Sequence, residues 1–381
     1  MMTTDETKMW LCHECVGETF LKGRIEKEGQ EQICSFCAGQ HKALPLDDIA
    51  DAFEAVFAQH LCCTSDEPSG LEYLAMKESD YEWERSGEPV VEVLQEIGLI
   101  EENVAEAIRQ ILHDRHDDYY SQEEGRFSKS CHYSYGSISA ERLSAEWRAF
   151  TNDLKTKSRY FSEAAAKTLT GLFDGIHDYK ARKGREIIVK AGPDTAYASI
   201  YRARRFEGSE RLAEALKRPD LEVGPPPPRA AKAGRMNARG ISVFYGAKVR
   251  LVALAEVRPF VGSTVVTARF DIIRPIFLLD LEALKSVEFR GSFFDPDYAA
   301  RLEKTEFLRS LSSRLTMPVM PDDEPFEYLP TQAIADFLAS RTKPSLDGII
   351  YPSVQGIDGM NVCCVWQLTL AHLRKLTLAH V

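Results

Sequence analysis

The chain is predicted to be an α+β protein in three parts, and three observations predict it. Two Cys-x-x-Cys pairs fall within the first forty residues. Segments with apolar residues at helical spacing then continue to about residue 180, and from Ile187 onward the texture changes to short β-branched and aromatic runs. At 381 residues, the chain is long enough for each part to bury a core of its own.

The first part spans residues 8–44 and is organised by Cys12-His-Glu-Cys15 and Cys34-Ser-Phe-Cys37, with eighteen residues between the pairs. Each pair can present two thiolates to one face of a metal ion. Two pairs complete a tetrahedral four-cysteine zinc site with no open coordination position, so the expected role is structural. The metal replaces a core that so short a segment lacks. His13, His41 and the Cys62-Cys63 pair read as bystanders, and Cys131, Cys363 and Cys364 have no pairing logic in a reducing compartment.

Residues 45–185 read as helical. Asp47–Gln59 carries Ile49, Phe53, Val56 and Phe57 on one face, and Glu88–Ile97 and Glu102–His113 continue in that style. Ser139–Leu154, with Ser139 as its cap, and Phe161–Tyr179 are further helices. The domain border is expected near residues 180–195, and the last domain is set at 190–375. Its strands are expected at Ile187–Val189, Ile241–Tyr245, Val265–Phe270, Ile349–Tyr351 and Val362–Leu368, with a short helix over Lys248–Val257. Pro225–Pro228 reads as a stiff surface loop in extended geometry.

Net charge is −11, unevenly spread. Residues 1–130 hold 11 Lys+Arg against 29 Asp+Glu, or −18, which leaves +7 for residues 131–381. A positive C-terminal half suits an anionic ligand such as a dinucleotide, whereas the acidic front half is a poor binder of nucleic acid. No apolar run has the length of a membrane span. The opening Met-Met-Thr-Thr-Asp-Glu-Thr-Lys has neither a basic nor an apolar leader region, so the expected location is the cytoplasm.

The chemistry is expected in the C-terminal part. Gly234-Arg-Met-Asn-Ala-Arg-Gly240 is a turn-forming polar loop that feeds an apolar run ending at Tyr245. Eleven residues on, Glu256 lies within Leu251-Val-Ala-Leu-Ala-Glu-Val257, beside apolar neighbours where a charge needs a partner or a task. Upstream stands Ile200-Tyr-Arg202-Ala-Arg204. Downstream come Tyr328-Leu-Pro-Thr-Gln332, Asp347-Gly-Ile-Ile-Tyr-Pro-Ser353 and Gly359-Met-Asn-Val-Cys-Cys-Val365.

In their order and local wording these five motifs resemble the RES domain family, over about residues 195–370. Two stretches depart from the pattern and read as insertions: the proline run and the charged segment Lys285–Glu327. The resemblance implies a fold like that of ADP-ribosyltransferases and consumption of NAD, by release of nicotinamide or transfer of ADP-ribose. It also implies roles for single residues. Glu256 would stabilise the positive charge that builds on the ribose, and Arg202 would bind the diphosphate, a role for which Arg204 competes. Tyr245 would stack on nicotinamide or orient the ribose, and Ser353 would hydrogen-bond either. Arg235, Asn237 and Gly240 are second-rank ligand contacts along the loop. Proteins of this family often act as toxins restrained by an antitoxin or other regulatory partner. Whether water, phosphate or a protein side chain accepts the ADP-ribose stays open.

The helical part, set between the zinc module and the RES region, resembles the HEPN domain fused to some RES proteins. Active HEPN ribonucleases carry an Arg and a following His on one helix. Arg109-Gln-Ile-Leu-His-Asp-Arg-His116 offers a loose version, which a solvated helix face explains better.

Overall fold

The computed structural model describes residues 8–116, 125–137, 139–353, 355, 359–364 and 371–380. The chain forms two compact units: Met1–Ser139 with Arg290–Glu303, and Ala140–Phe289 with Lys304–Val381. None of the described helices is long and apolar enough to cross a membrane.

In the first unit the order is β1 (Trp10–Cys12), α1 (Thr19–Glu28), β2 (Gln30–Ile33), β3 (Gln40–Pro45), α2 (Leu46–His60), β4 (Leu61–Cys63), α3 (Gly70–Glu78), β5 (Glu88–Pro89), α4 (Val90–Gly98), α5 (Glu102–His116) and β6 (His132–Tyr135). Two small antiparallel sheets result, β1-β3-β2 and β4-β6-β5. The core is built from the helical stripes. Ile49, Phe53, Val56 and Phe57 of α2 pack in one cluster with Val93, Leu94 and Ile97 of α4 and Val104, Ile108 and Leu112 of α5. Asp47 and Asp48 in the first turn of α2 and His60 in its last suit the helix dipole.

Part of the segment that reads as an insertion belongs to this core. Phe294 meets Phe53 edge-on at 4.9 Å, and Phe293 and Tyr298 meet the His60 ring at 5.3 and 5.5 Å. Phe53 is fully buried, so truncation to alanine would cost about 3–5 kcal/mol.

The second unit runs α6 (Glu141–Thr156), α7 (Glu163–Phe173), β7 (Lys180–Ala181), β8 (Arg185–Glu186), β9 (Ile188–Ala191), β10 (Ser199–Phe206), α8 (Ser209–Lys217), α9 (Pro219–Glu222), β11 (Phe244–Ala247) and α10 (Arg250–Glu256). It continues β12 (Thr264–Ile272), β13 (Ile276–Asp280), α11 (Leu281–Leu284), β14 (Val287–Glu288), α12 (Tyr298–Thr316, which belongs to this unit from Lys304 onward), α13 (Glu324–Glu327), α14 (Leu329–Ser340), β15 (Gly348–Pro352), β16 (Met360–Cys364) and β17 (Ala371–His380). Val365–Leu368, expected to prolong a strand, lie outside the described residues. Ser139 does not cap α6: the residue before the helix is Ala140, whose side chain makes no capping bond.

Eight strands form one sheet in the order β17-β12-β10-β11-β16-β15-β13-β9, and only β13 and β15 run parallel. Alternation along the strands divides two cores. Leu279, Ile349 and Cys363 face α6, α7, α12 and α14, while Leu278, Ile350, Val362 and Cys364 join Ile200, Phe244 and Phe270 in another cluster. Because Trp147, Phe150 and Phe173 share the first of these cores with Phe307 and Leu338, α6 and α7 belong to this unit. The unit therefore begins at Ala140, upstream of the texture change near residues 180–195.

The sheet is nearly divided in its middle. β10 pairs with β12 along its whole length, from Ser199↔Asp271 to Phe206↔Thr264, but meets β11 at a single position, Tyr201↔Ala247. Gly246 makes that close passage feasible, since a Cβ there would lie 2.9 Å from the Tyr201 carbonyl oxygen and 2.8 Å from the Phe244 ring. Beyond the junction β10 and β11 part, and a cleft opens between them.

Candidate functional site

The cleft has two lobes. One, about 290 Å³, is lined by Tyr201, Arg202 and Ala203 of β10, Tyr245–Ala247 of β11, Ala253 and Glu256 of α10, Val257, Tyr351 and Asn361. The other, about 600 Å³, shares Arg202, Ala203 and Tyr245 and extends along Arg204, Lys232, Pro226 and Pro227. The proline run, expected as a plain surface loop, thus supplies part of a cleft wall.

Glu256 ends α10, on the same side as buried Val252 and Ala253, which anchor the helix. A carboxylate at a helix C-terminus gains nothing from the dipole. Its partners come from elsewhere: Ser353 Oγ donates to Glu256 Oε1 at 2.6 Å, and Asn361 Nδ2 donates to the same oxygen at 2.7 Å. Oε2 receives no hydrogen bond among the described residues. Ser353 is itself oriented, because its N–H donates to the Gly359 carbonyl at 2.7 Å and its Oγ accepts from Gln355 N at 3.1 Å. Asn361 is buried on β16, opposite Ala247 on one side and Tyr351 on the other. Its Oδ1 is also buried and has no hydrogen-bond partner among the described residues.

Arg202 and Arg204 follow different paths. The Arg202 guanidinium lies 5.2 Å from the Phe244 ring, and its Nη1 is buried without a hydrogen bond among the described residues. Burial, then the neighbouring Arg204 cation, lowers its pKa to about 10, which leaves it charged at neutral pH. Arg204 Nη1 donates to the Glu222 carbonyl at 2.5 Å and lies 3.5 Å from its carboxylate. Of the two, Arg202 is the cation left without a carboxylate among the described residues.

The Gly234–Gly240 loop is held from within. Tyr245 Oη donates to Asn237 Oδ1 at 2.8 Å and accepts from Met236 N at 2.9 Å. Burial, then the nearby Cys363 sulfur, pushes the Tyr245 phenol far above its ordinary range, so it stays a neutral donor. Asn237 Nδ2 donates to the carbonyls of Lys232, Ala238 and Ile241, which draws Ile241 out of the ladder and delays β11 until Phe244. Arg235 donates from Nη1 to Leu315 O and from Nη2 to Met317 O, both at 2.9 Å, at the end of α12. Gly240 takes φ +90°, a conformation that favours glycine. The cleft thus gathers Glu256, Arg202, Tyr245 and Asn361, with Ser353 behind Glu256. Asn237 spends its polar groups on the loop, and Arg235 spends its donors on the end of α12. Asn361 stands in a sequence motif that gives it no role of its own, since only the fold brings it beside Glu256.

The four cysteines of the first unit come together. Their sulfur atoms all lie within 4.8 Å of one another, with Cys12–Cys15 and Cys12–Cys37 at 3.6 Å and Cys15–Cys34 at 3.8 Å. Tetrahedral Zn²⁺ with bonds of about 2.3 Å requires sulfur separations of about 3.8 Å, so the set fits that ion. Burial opposes ionisation of Cys34, yet N–H groups of Cys37, Phe36 and Cys12 outweigh it and hold the thiol down at about 7. Such a centre would cross-link β1 and the turn after β2 and leave no position for substrate.

The pair Arg109 and His116 does not converge on a cleft. Arg109 is 3% exposed and bonds Glu106, Gln110 and the Phe127 carbonyl, while His116 Nε2 pairs with Glu54 at 2.7 Å.

Two families match the chain: the RES domain over residues 199–375 and HEPN/RES N-terminal domain 1 over residues 27–168. No curated protein and no solved structure matches it. The first match begins with β10 and takes in the whole cleft, and the second includes Cys34 and Cys37 but starts after Cys12 and Cys15. The pairing supports, in general terms, an effector that processes nucleotides or acts as a nuclease. The chain therefore carries a HEPN/RES N-terminal domain, with a four-cysteine cluster able to hold a metal ion, followed by a RES domain.

Proposed function

We propose that this protein cleaves the N-glycosidic bond between nicotinamide and ribose in NAD. The observation that carries the reading is Glu256: two donors grip one carboxylate oxygen and leave the other open, in the same cleft as the uncompensated Arg202. As nicotinamide departs, the ribose takes on positive charge, and a fixed carboxylate beneath it stabilises that charge more in the transition state than in the substrate. Arg202 supplies donors for the diphosphate. The two lobes suit the two halves of a dinucleotide, with the ring of Tyr245 where they meet. Water, phosphate or a protein side chain would then take the ADP-ribose at the same carbon.

NAD loss in the cell is the expected outcome, as for a toxin or defence effector restrained by an antitoxin or by the N-terminal unit. The test is nicotinamide release from NAD by the purified full chain, with product masses separating ADP-ribose from its phosphate or protein adduct. Glu256→Gln should remove activity, and a fully active variant would overturn the reading.

A further inference from the structure

Cys63 closes β4 and stands across the ladder from Tyr133 of β6. Thr64 N–H donates to His132 O at 2.9 Å, and Val90 N–H donates to Cys131 O at 3.0 Å, so the backbone on both sides of this corner is tied. These bonds set Cys131 diagonal to Cys63, with the two sulfur atoms 2.7 Å apart. A disulfide has a bond of about 2.0 Å, so the pair needs less than an ångström of approach. The two residues differ in access. Cys63 is exposed, whereas Cys131 is fully buried in the same core cluster as Phe57, Phe127 and Tyr133. Cys131 has no pairing logic in the sequence, and only the fold brings Cys63 beside it. Cys62, one position back, projects to the other face of the strand by alternation.

We propose that Cys63 and Cys131 form an oxidation site, a dithiol that a hydroperoxide converts to a disulfide. The exposed Cys63 thiol gives up its proton and its thiolate attacks hydrogen peroxide; the O–O bond breaks, giving a sulfenic acid and a hydroxide that takes up that proton as one water. Cys131 then loses its proton and attacks the Cys63 sulfur. The S–O bond breaks, and the departing hydroxide takes that proton as a second water. Two thiols and one peroxide become one disulfide and two waters, with each sulfur giving up one electron. The bond closes the chain between β4 and β6 around α3, α4 and α5.

The test treats the reduced full chain with an equivalent of hydrogen peroxide, blocks remaining thiols with iodoacetamide, and maps the digest by mass. The expected result is a joined peptide pair holding Cys63 and Cys131, two hydrogens lighter than its parts. Alkylation should be lost at both cysteines and kept at Cys62. In Cys63→Ser, at an exposed site where the fold is not at stake, the joined pair should vanish and Cys131 should be recovered as a thiol. Oxidation of Cys63 to the sulfinic acid without a joined peptide would overturn the proposal, as would a Cys62–Cys131 pair.

Discussion

Ser353 and Glu256, 97 residues apart in sequence, meet through a 2.6 Å hydrogen bond to the carboxylate oxygen that Asn361 also holds. Removing an electrostatic stabiliser of a transition state typically costs about 10²–10³ in rate. Ser353→Ala and Asn361→Ala each leave one donor on Oε1, so each should lower kcat of nicotinamide release by less than Glu256→Gln. Glu256→Asp shortens the reach to both donors, and it should lose most activity while the thermal midpoint stays put.

Asn361→Asp tests the same contact by charge. It places a second carboxylate against Glu256, and like charges raise the pH needed to ionise both. The acid limb of the rate–pH profile should move upward, with activity partly restored at higher pH. An unmoved limb together with a lowered rate would assign Asn361 to packing alone.

Arg202 is held without a partner for its buried Nη1, whereas Arg204 is tethered to Glu222. Arg202→Met should therefore raise KM strongly and, by removing an unsatisfied buried donor, stabilise the unliganded chain by about 1 kcal/mol. Arg204→Met should change KM less. Binding of ADP-ribose, followed by calorimetry, should weaken as pH rises through about 10, where Arg202 loses its proton.

Glu106 carries a distinct pH dependence. The Arg109 hydrogen bonds hold its carboxyl down at about 2, against an ordinary value of 4.5. A lowered carboxylate pKa contributes stability that is present above 4.5 and is lost as pH falls toward 2. Glu106 is 37% exposed, so solvent screens part of this interaction. Arg109→Ala should lower stability by about 1–3 kcal/mol at neutral pH and flatten the acid limb of the melting curve. It should leave nicotinamide release intact.

The purified chain should bind one zinc ion, measured by elemental analysis. Stripping it with a chelator, or replacing Cys34 by Ser, should lower the melting temperature of the first unit, because the sulfur cage stands in for a core around β1–β3.

How much of this could be read from the residues differs from place to place. The zinc cysteines were legible because a closed site needs only spacing, and α2, α4 and α5 because their buried stripes repeat at helical intervals. The order Arg202, Tyr245, Glu256, Ser353 was legible as a string of motifs. Its selection of Arg202 over Arg204 was not, since that depends on Glu222 reaching one of them. Asn237 and Arg235 look like ligand groups in sequence, and only the fold shows the donors of Asn237 turned to loop carbonyls and those of Arg235 to the end of α12. Phe293 and Phe294 sit in a charged segment whose composition gives no hint that it completes the core of the first unit.

The single rung Tyr201↔Ala247 leaves the large sheet as two plates joined along a seam one residue wide. Spreading a continuous ladder would break many backbone hydrogen bonds in concert, whereas at this seam one backbone pair and the side-chain clusters around Phe244 and Ala247 hold the plates. A molecule lodged in the gap would bridge the plates where backbone bonds do not. Amide exchange in β10 and β11 should slow together when the gap is filled, and the distant rows of β12 and β15 should scarcely respond.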